Sequence, residues 1–206
     1  MANAPPNLPI PDWLAARLQS AGGQLSPRYE ASLYGPINCL LTWYFPITQQ
    51  FMIKPQGKIR PQYSSDIVDD EDLVRVSLDS YGGEVLSRDE SGGEQSVKIP
   101  DFTVVKATAS LHNDRVLMIV EVKHPDVTLQ TAKDQMGEYF TSLVDKYRFS
   151  DGRPLFDRLE GLLVLGSVVL LASLPSPGGR TRFSPPFDIT DNIVHDFIRR
   201  ITVANW

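Results

Sequence analysis

Two segments of the sequence place charged side chains within runs of apolar, β-forming residues. One reads IPDFTVV and carries Asp101, and the other reads RVLMIVEVKH and carries Glu121 and Lys123. Side chains alternate along a strand, so Glu121 and Lys123 share one face while Val122 points to the other. If the two strands are neighbours, two carboxylates and one ammonium group converge, and burying them requires a charged partner. A divalent metal ion would supply that partner.

The same residues also allow a purely structural interpretation. Glu121 and Lys123 would then form an ion pair on the solvated side of an edge strand, and Asp101 would be a turn residue after Pro100. We favour a functional site because these residues end an apolar strand and precede a helical segment, which is where α/β folds expose functional groups.

The surrounding sequence predicts the elements that must position these residues. A helix is predicted over about 26–46, and Gly35-Pro36 within it predicts a kink or two consecutive helices. Strands are predicted at about 97–107 and 115–123. The strongest helical stripe of apolar positions follows Pro125-Asp126, so a helix comes directly after the strand that carries Glu121.

The C-terminal part of the chain predicts further buried elements. The runs GLLVLG and VVLLASL are nearly continuous in apolar residues, which is typical of central strands or a tight hairpin. The segment at about 190–203 is predicted as a helix with Ile193, Phe197 and Ile201 on one face.

Length and composition predict one domain over residues 1–206, with a core at about 26–174 and a proline-containing N-terminal arm at 1–11. The 206 residues are 42% hydrophobic and 22% charged, and no internal repeat marks a second domain. No apolar run approaches the roughly 18 to 20 residues that span a bilayer, and the first residues lack the features of a secretory signal. We therefore expect no membrane association and an intracellular location, in the cytoplasm or nucleus.

Charge and cysteine content exclude some classes of function. The formal net charge of −5 argues against a broad basic surface that holds nucleic acid, although it does not exclude an enzyme that acts on phosphodiesters. The single cysteine, Cys39, excludes an internal disulfide, and its apolar surroundings predict a buried packing role. The three histidines show no spacing typical of zinc sites.

The order of these elements and motifs resembles the PD-(D/E)XK nuclease superfamily. The resemblance covers about residues 26–174 and rests on Pro100-Asp101 in one strand and on Glu121 and Lys123 in the next. It implies an α/β, restriction-endonuclease-like αβββαβ core in which helices flank a mixed central sheet.

Two further elements belong to the resemblance. Gln135 and Tyr139, on the helix after the motif, match the Q-x-x-x-Y element of RecB-like and type I restriction-subunit-like branches. In many members an acidic residue of the first helix joins the metal site, and Glu30 is the carboxylate available there. The resemblance thus implies Glu30 as a further metal ligand and Gln135 and Tyr139 as contacts to the substrate.

The implied chemistry is metal-dependent hydrolysis of phosphodiester bonds, with DNA as the expected substrate. Oxygen ligands from Asp101, Glu121 and the Val122 carbonyl suit Mg²⁺ or Mn²⁺, which activate a bound water as the nucleophile. Lys123 would orient that water or offset developing charge. Gln135 would position a phosphate or the lysine, and Tyr139 would stack or donate a hydrogen bond.

Alternative functions share the same fold. The chain could be a catalytically silent member that binds nucleic acid or a protein partner, or a small-molecule hydrolase that shares only the sheet geometry. The family also implies a homodimer, because cutting both strands of a duplex usually takes two active sites. The sequence leaves open DNA against RNA, single against double strands, and endonuclease against exonuclease action.

Overall fold

The computed structural model describes residues 9–20, 31–56, 85–88, 94–97, 99–108, 114–146 and 158–206. Its helices are α1 (Asp12–Ser20), α2 (Ala31–Tyr44), α3 (Leu129–Lys146) and α4 (Asn192–Ala204), with a short 3₁₀ helix at Ile47–Gln49. Its strands are β1 (Phe51–Pro55), β2 (Val85–Arg88), β3 (Glu94–Val97), β4 (Phe102–Lys106), β5 (Arg115–Lys123), β6 (Leu159–Leu165), β7 (Val168–Leu174), β8 (Arg182–Phe183) and β9 (Phe187–Asp188).

Most of these strands form one sheet in the order β1-β4-β5-β6-β7-β8, with β9 also paired to β7. The strands β5 and β6 run parallel, and the other pairs of this sheet run antiparallel. The parallel pair requires a crossover connection, which α3 provides. The strands β2 and β3 form a separate hairpin. The predicted α/β class with a mixed open sheet and flanking helices is confirmed.

Helices cover both faces of the sheet, and each face has its own hydrophobic core. On one face, α2 and α4 pack on the sheet and α1 packs against α2, and their buried residues form one hydrophobic core. On the other face, α3 packs alone among the described helices, through Ala132, Met136, Tyr139, Phe140 and Leu143. The strands β5 and β6 are thus buried on both faces, which explains why they read as nearly continuous apolar runs.

A β-bulge interrupts the regular pairing of β4 with β5. The register shifts between Val104 and Val105, which leaves Leu117 as an additional residue of β5. Leu117 and Met118 therefore both pack in the core below α2 and α4. Regular alternation resumes afterwards, and Ile119 faces α3. The two residues at positions 121 and 123 follow Ile119 onto the α3 face.

Two of the predicted elements have different bounds in the structure. The strand predicted at about 97–107 begins only at Phe102, because Pro100 has no N–H group for the ladder. The helix predicted over 26–46 is described from Ala31 and continues through Pro36 to Tyr44. The alternative of two consecutive helices is therefore wrong. Packing of the apolar face of α2 outweighs the hydrogen bond lost at the proline.

The prediction that Cys39 is buried is wrong. Cys39 is exposed, because it lies on the side of α2 opposite the stripe that contacts the sheet. Of the three residues predicted on one face of the last helix, Phe197 and Ile201 are buried and Ile193 is 48% exposed. In the first turn of α4 the side chain that faces the core is Val194, which is fully buried, and not Ile193. No helix in the described ranges is both long and apolar enough to cross a bilayer.

Close packing of α3 on β6 depends on Gly161. A Cβ atom at this position would lie 3.1 Å from Met136 Sδ, 3.1 Å from Phe140 Cζ and 3.3 Å from the Ile119 carbonyl oxygen. Since the phenylalanine ring and the backbone cannot yield easily, α3 would have to move outward. We expect Gly161→Ala to lower the free energy of unfolding by about 1–3 kcal/mol, as measured by urea denaturation.

A second glycine supplies the control for this measurement. Gly137 lies in α3, and a Cβ atom there would meet only Thr181 Oγ1, at 3.9 Å. Because alanine is the better helix former by about 1 kcal/mol, Gly137→Ala should be neutral or stabilising. Equal stability of Gly161→Ala and the wild type would contradict the packing argument.

Candidate active site

Glu121 is a buried carboxylate at the end of β5, with only 2% of the residue exposed. Its Oε1 atom lies 2.7 Å from Lys123 Nζ and accepts a hydrogen bond of 3.2 Å from Tyr139 Oη. Its Oε2 atom accepts a weaker hydrogen bond of 3.4 Å from the Asp101 backbone N–H. The lysine is 18% exposed, so it stands between the buried carboxylate and solvent.

Asp101 stands directly before β4, at the point where the β4–β5 ladder ends. Its Oδ2 atom accepts the Val122 backbone N–H at 2.6 Å, so the side chain satisfies a donor at the end of the neighbouring strand. Its Oδ1 atom accepts a hydrogen bond of 2.5 Å from Tyr34 Oη, which comes from α2. The Asp101 carboxylate is therefore held by donors from two different elements.

The helix α3 supplies a pair of polar side chains one turn apart. Gln135 Nε2 donates to Tyr139 Oη at 2.7 Å. The Tyr139 hydroxyl has two acceptors within reach, the Ile99 carbonyl at 3.1 Å and Glu121 Oε1 at 3.2 Å. A phenol has one proton, so it serves one of these acceptors at a time. Tyr139 is 2% exposed, which leaves its ring covered and unable to stack on a base.

Burial controls the protonation of this cluster. Desolvation, followed by the charge of Asp101, raises the pKa of Glu121 from 4.5 to about 7, although the Lys123 ammonium opposes the shift. Desolvation and then the Glu121 charge raise the pKa of the Tyr139 hydroxyl above its ordinary value. Tyr139 thus stays protonated and remains a hydrogen-bond donor.

The structure brings together most of the residues that the sequence motifs indicated. One connected cluster contains Asp101, Glu121, Lys123, Gln135 and Tyr139. Val122 joins it through its backbone, while Glu30 lies outside the described residues. The chain matches no protein-family model, no curated protein and no solved structure.

Tyr34 is the member of the cluster that the sequence motifs did not indicate. It follows the apolar Leu33 on α2 and packs edge-on against Phe102, with ring centroids 5.5 Å apart. The sequence offers one indirect signal, because Tyr34 comes four positions after Glu30, the residue that the family resemblance assigns to the metal site.

The donor set of the cluster suits a hard divalent cation. In the described part of the chain, no group of three or more His, Cys, Asp or Glu side chains is arranged to hold a metal. The carboxylates of Asp101 and Glu121 nevertheless stand close enough that the charge of one raises the pKa of the other. A cation between them would relieve this repulsion, and Mg²⁺ in proteins typically uses one or two carboxylates and keeps several waters. Two carboxylates and the Val122 carbonyl oxygen fit that requirement.

Proposed function

We propose that this protein is a metal-dependent nuclease with a restriction-endonuclease-like core, acting on phosphodiester bonds in DNA. The observation that carries the proposal is the convergence of Asp101, Glu121 and Lys123 at the end of β5, braced from α3 by Gln135 and Tyr139. The element order α2, β1, β4, β5, α3, β6, with β5 and β6 parallel, supports the proposed core.

The two carboxylates and the Val122 carbonyl would hold Mg²⁺ or Mn²⁺. When bound, the ion supplies Lewis acidity and an activated water, which are the main requirements of phosphodiester hydrolysis. The side chains themselves perform the positioning. The Val122 N–H donates to Asp101 Oδ2 at 2.6 Å, and Glu121 Oε1 has Lys123 at 2.7 Å and Tyr139 at 3.2 Å, so both carboxylates have partners that orient them before a metal arrives.

Among the described residues, Lys123 is a cation of the site that can reach a substrate. Its ammonium group contacts Glu121 at 2.7 Å and remains partly exposed, so it can also approach a phosphate oxygen or the attacking water. A contact between unit charges at 4 Å contributes about 4 kcal/mol near a protein surface. This is a useful but minor share of a barrier reduction of about 20 kcal/mol, most of which must come from the metal.

A catalytically silent nucleic-acid-binding module is the second candidate. One observation favours it, because the Oε1 atom of Glu121 already contacts Lys123 and Tyr139, a neutralised arrangement that needs no metal. Such a module would bind nucleic acid equally well with and without EDTA. The nuclease would require a divalent ion.

A cleavage assay on supercoiled duplex and circular single-stranded DNA, with Mg²⁺, Mn²⁺ or EDTA, tests the proposal. We expect metal-dependent cleavage by the wild type and a rate about 10²- to 10³-fold lower for Lys123→Ala, because a charge that stabilises the transition state is lost. Lys133→Ala is the control. Lys133 is only two residues from Gln135 in the sequence. Its ammonium group, however, lies 5.5 Å from the centre of the Phe183 ring, away from the cluster.

The outcomes separate the two candidates. Loss of cleavage in Lys123→Ala, with retention in Lys133→Ala, supports the nuclease. A folded wild type that cuts neither DNA nor RNA with any of these ions, yet binds nucleic acid in EDTA, contradicts the nuclease and supports the silent module.

A further inference from the structure

We propose that Tyr34 is a positioning residue that orients the Asp101 carboxylate toward a divalent metal ion. The inference rests on the proposed function, since it takes Asp101 as a metal ligand. It adds a residue that neither the sequence motifs nor the resemblance assigns, and it gives α2 a defined contribution to the site.

The contact between Tyr34 and Asp101 is a short hydrogen bond between two side chains. The distance from Tyr34 Oη to Asp101 Oδ1 is 2.5 Å, within the range for a hydroxyl that donates to an ionised carboxylate. The tyrosine ring packs against Phe102 at an interplanar angle of 78°. Phe102 directly follows Asp101, so two consecutive side chains contact the tyrosine, one through its ring and the other through its hydroxyl.

The contact restrains a carboxylate that would otherwise rotate. The Val122 N–H binds Oδ2 and the Tyr34 hydroxyl binds Oδ1, so both oxygens of Asp101 have a donor, each from a different element. With both oxygens anchored, the plane of the carboxylate is fixed about its Cβ–Cγ bond. Hydrogen bonds of this kind to metal-ligating carboxylates commonly change metal affinity or activity by about 10- to 100-fold.

The position of the tyrosine hydroxyl is itself well determined. On either side of Tyr34, Leu33 and Ile37 are buried in the core that α2 shares with the sheet. The contact between Tyr34 and Asp101 resembles the one on the opposite face of the sheet, where the Tyr139 hydroxyl of α3 contacts Glu121. Each layer of helices therefore supplies one tyrosine hydroxyl to one carboxylate.

The competing explanation is that the hydrogen bond only ties α2 to β4. In that case its removal would lower stability without changing the affinity for a metal. Direct titration with Mn²⁺, followed by the electron paramagnetic resonance signal of the free ion, separates these explanations and requires no nuclease activity.

We expect Tyr34→Phe to raise the dissociation constant for Mn²⁺ by about 10- to 100-fold. The Mn²⁺ concentration that gives half-maximal cleavage should rise by the same factor, while the rate at saturating Mn²⁺ approaches that of the wild type. Tyr44→Phe is the matched control, because Tyr44 lies on the same helix but its hydroxyl contacts His195 Nδ1 at 3.0 Å, outside the site. It should bind Mn²⁺ like the wild type.

Each other result overturns the inference. Unchanged Mn²⁺ affinity in Tyr34→Phe, with or without a lower melting temperature, assigns the tyrosine a structural role and leaves the nuclease proposal standing. An equal loss of affinity in Tyr44→Phe indicates a general disturbance of α2. A wild-type protein that binds no Mn²⁺ overturns the inference together with the metal site.

Discussion

Glu121→Gln is expected to lower the rate of metal-dependent cleavage by about 10³-fold or more, while the protein remains folded. The substitution removes a carboxylate from the proposed metal ligands and leaves Asp101 as the remaining described carboxylate of the cluster. Since one preorganised donor alone accounts for about 10²- to 10³-fold in other enzymes, loss of a charge that holds the metal should cost at least as much.

The same substitution should retain the fold and stabilise the metal-free protein at neutral pH. Glutamine has nearly the shape of glutamate, and its carbonyl oxygen can still accept hydrogen bonds from Tyr139 and Lys123. Burial disfavours the ionised carboxylate and raises the pKa of Glu121, so removing the charge relieves desolvation as it weakens the contact with Lys123. Circular dichroism and the melting temperature check that the fold is retained.

Glu160 provides a matched control on the neighbouring strand. It is also a buried glutamate whose pKa is raised by burial, but it pairs with Arg158 and Arg200 at the start of β6, away from the cluster. Glu160→Gln should cut DNA at the wild-type rate. Wild-type cleavage by Glu121→Gln, or an equal loss in Glu160→Gln, would remove Glu121 from the catalytic set.

The metal-free protein is expected to lose stability as the pH rises from about 4.5 to about 7. In this range the folded protein keeps a proton on Glu121 that the unfolded chain has already released, since the folded pKa is about 7 against an ordinary value of 4.5. The free energy of unfolding therefore falls as pH rises, by about 3 kcal/mol over the whole window. The measurement is urea denaturation in EDTA across this range.

Other groups titrate nearby, so the comparison must isolate Glu121. Burial lowers the pKa of His195, which makes the folded protein lose stability as pH falls below 6.5, the opposite direction. The difference in unfolding free energy between wild type and Glu121→Gln cancels that contribution. This difference should favour the variant increasingly as pH rises, and saturating Mg²⁺ should reverse it for the wild type. A difference that is constant with pH would show that Glu121 titrates normally.

The parts of the site that follow from local periodicity could be predicted from the sequence. The two-residue spacing of Glu121 and Lys123 places them on one face of a strand, and the four-residue spacing of Gln135 and Tyr139 places them on one side of a helix. Both relations involve near neighbours in the chain, so tertiary packing did not alter them. The mixed sheet, by contrast, was an implication of the family resemblance and not of local spacing.

The parts that depend on distant contacts could not be predicted. Tyr34 and Asp101 are 67 residues apart, and nothing local to Tyr34 indicates its partner. The exposure of Cys39 depends on which side of α2 meets the sheet, and an apolar neighbourhood in sequence does not reveal that side. The bulge at Leu117 depends on pairing with β4, and it leaves no sign in a run of apolar residues.

The two tyrosine contacts bear on the order of events during folding. Tyr34 reaches Asp101 from one layer of helices, and Tyr139 reaches Glu121 from the other, so neither helix alone completes the cluster. A chain with the sheet formed and only one layer docked would lack the tyrosine hydrogen bond to one of the two carboxylates. If the cluster binds metal, both layers of helices must therefore be docked before the chain reaches its full metal affinity.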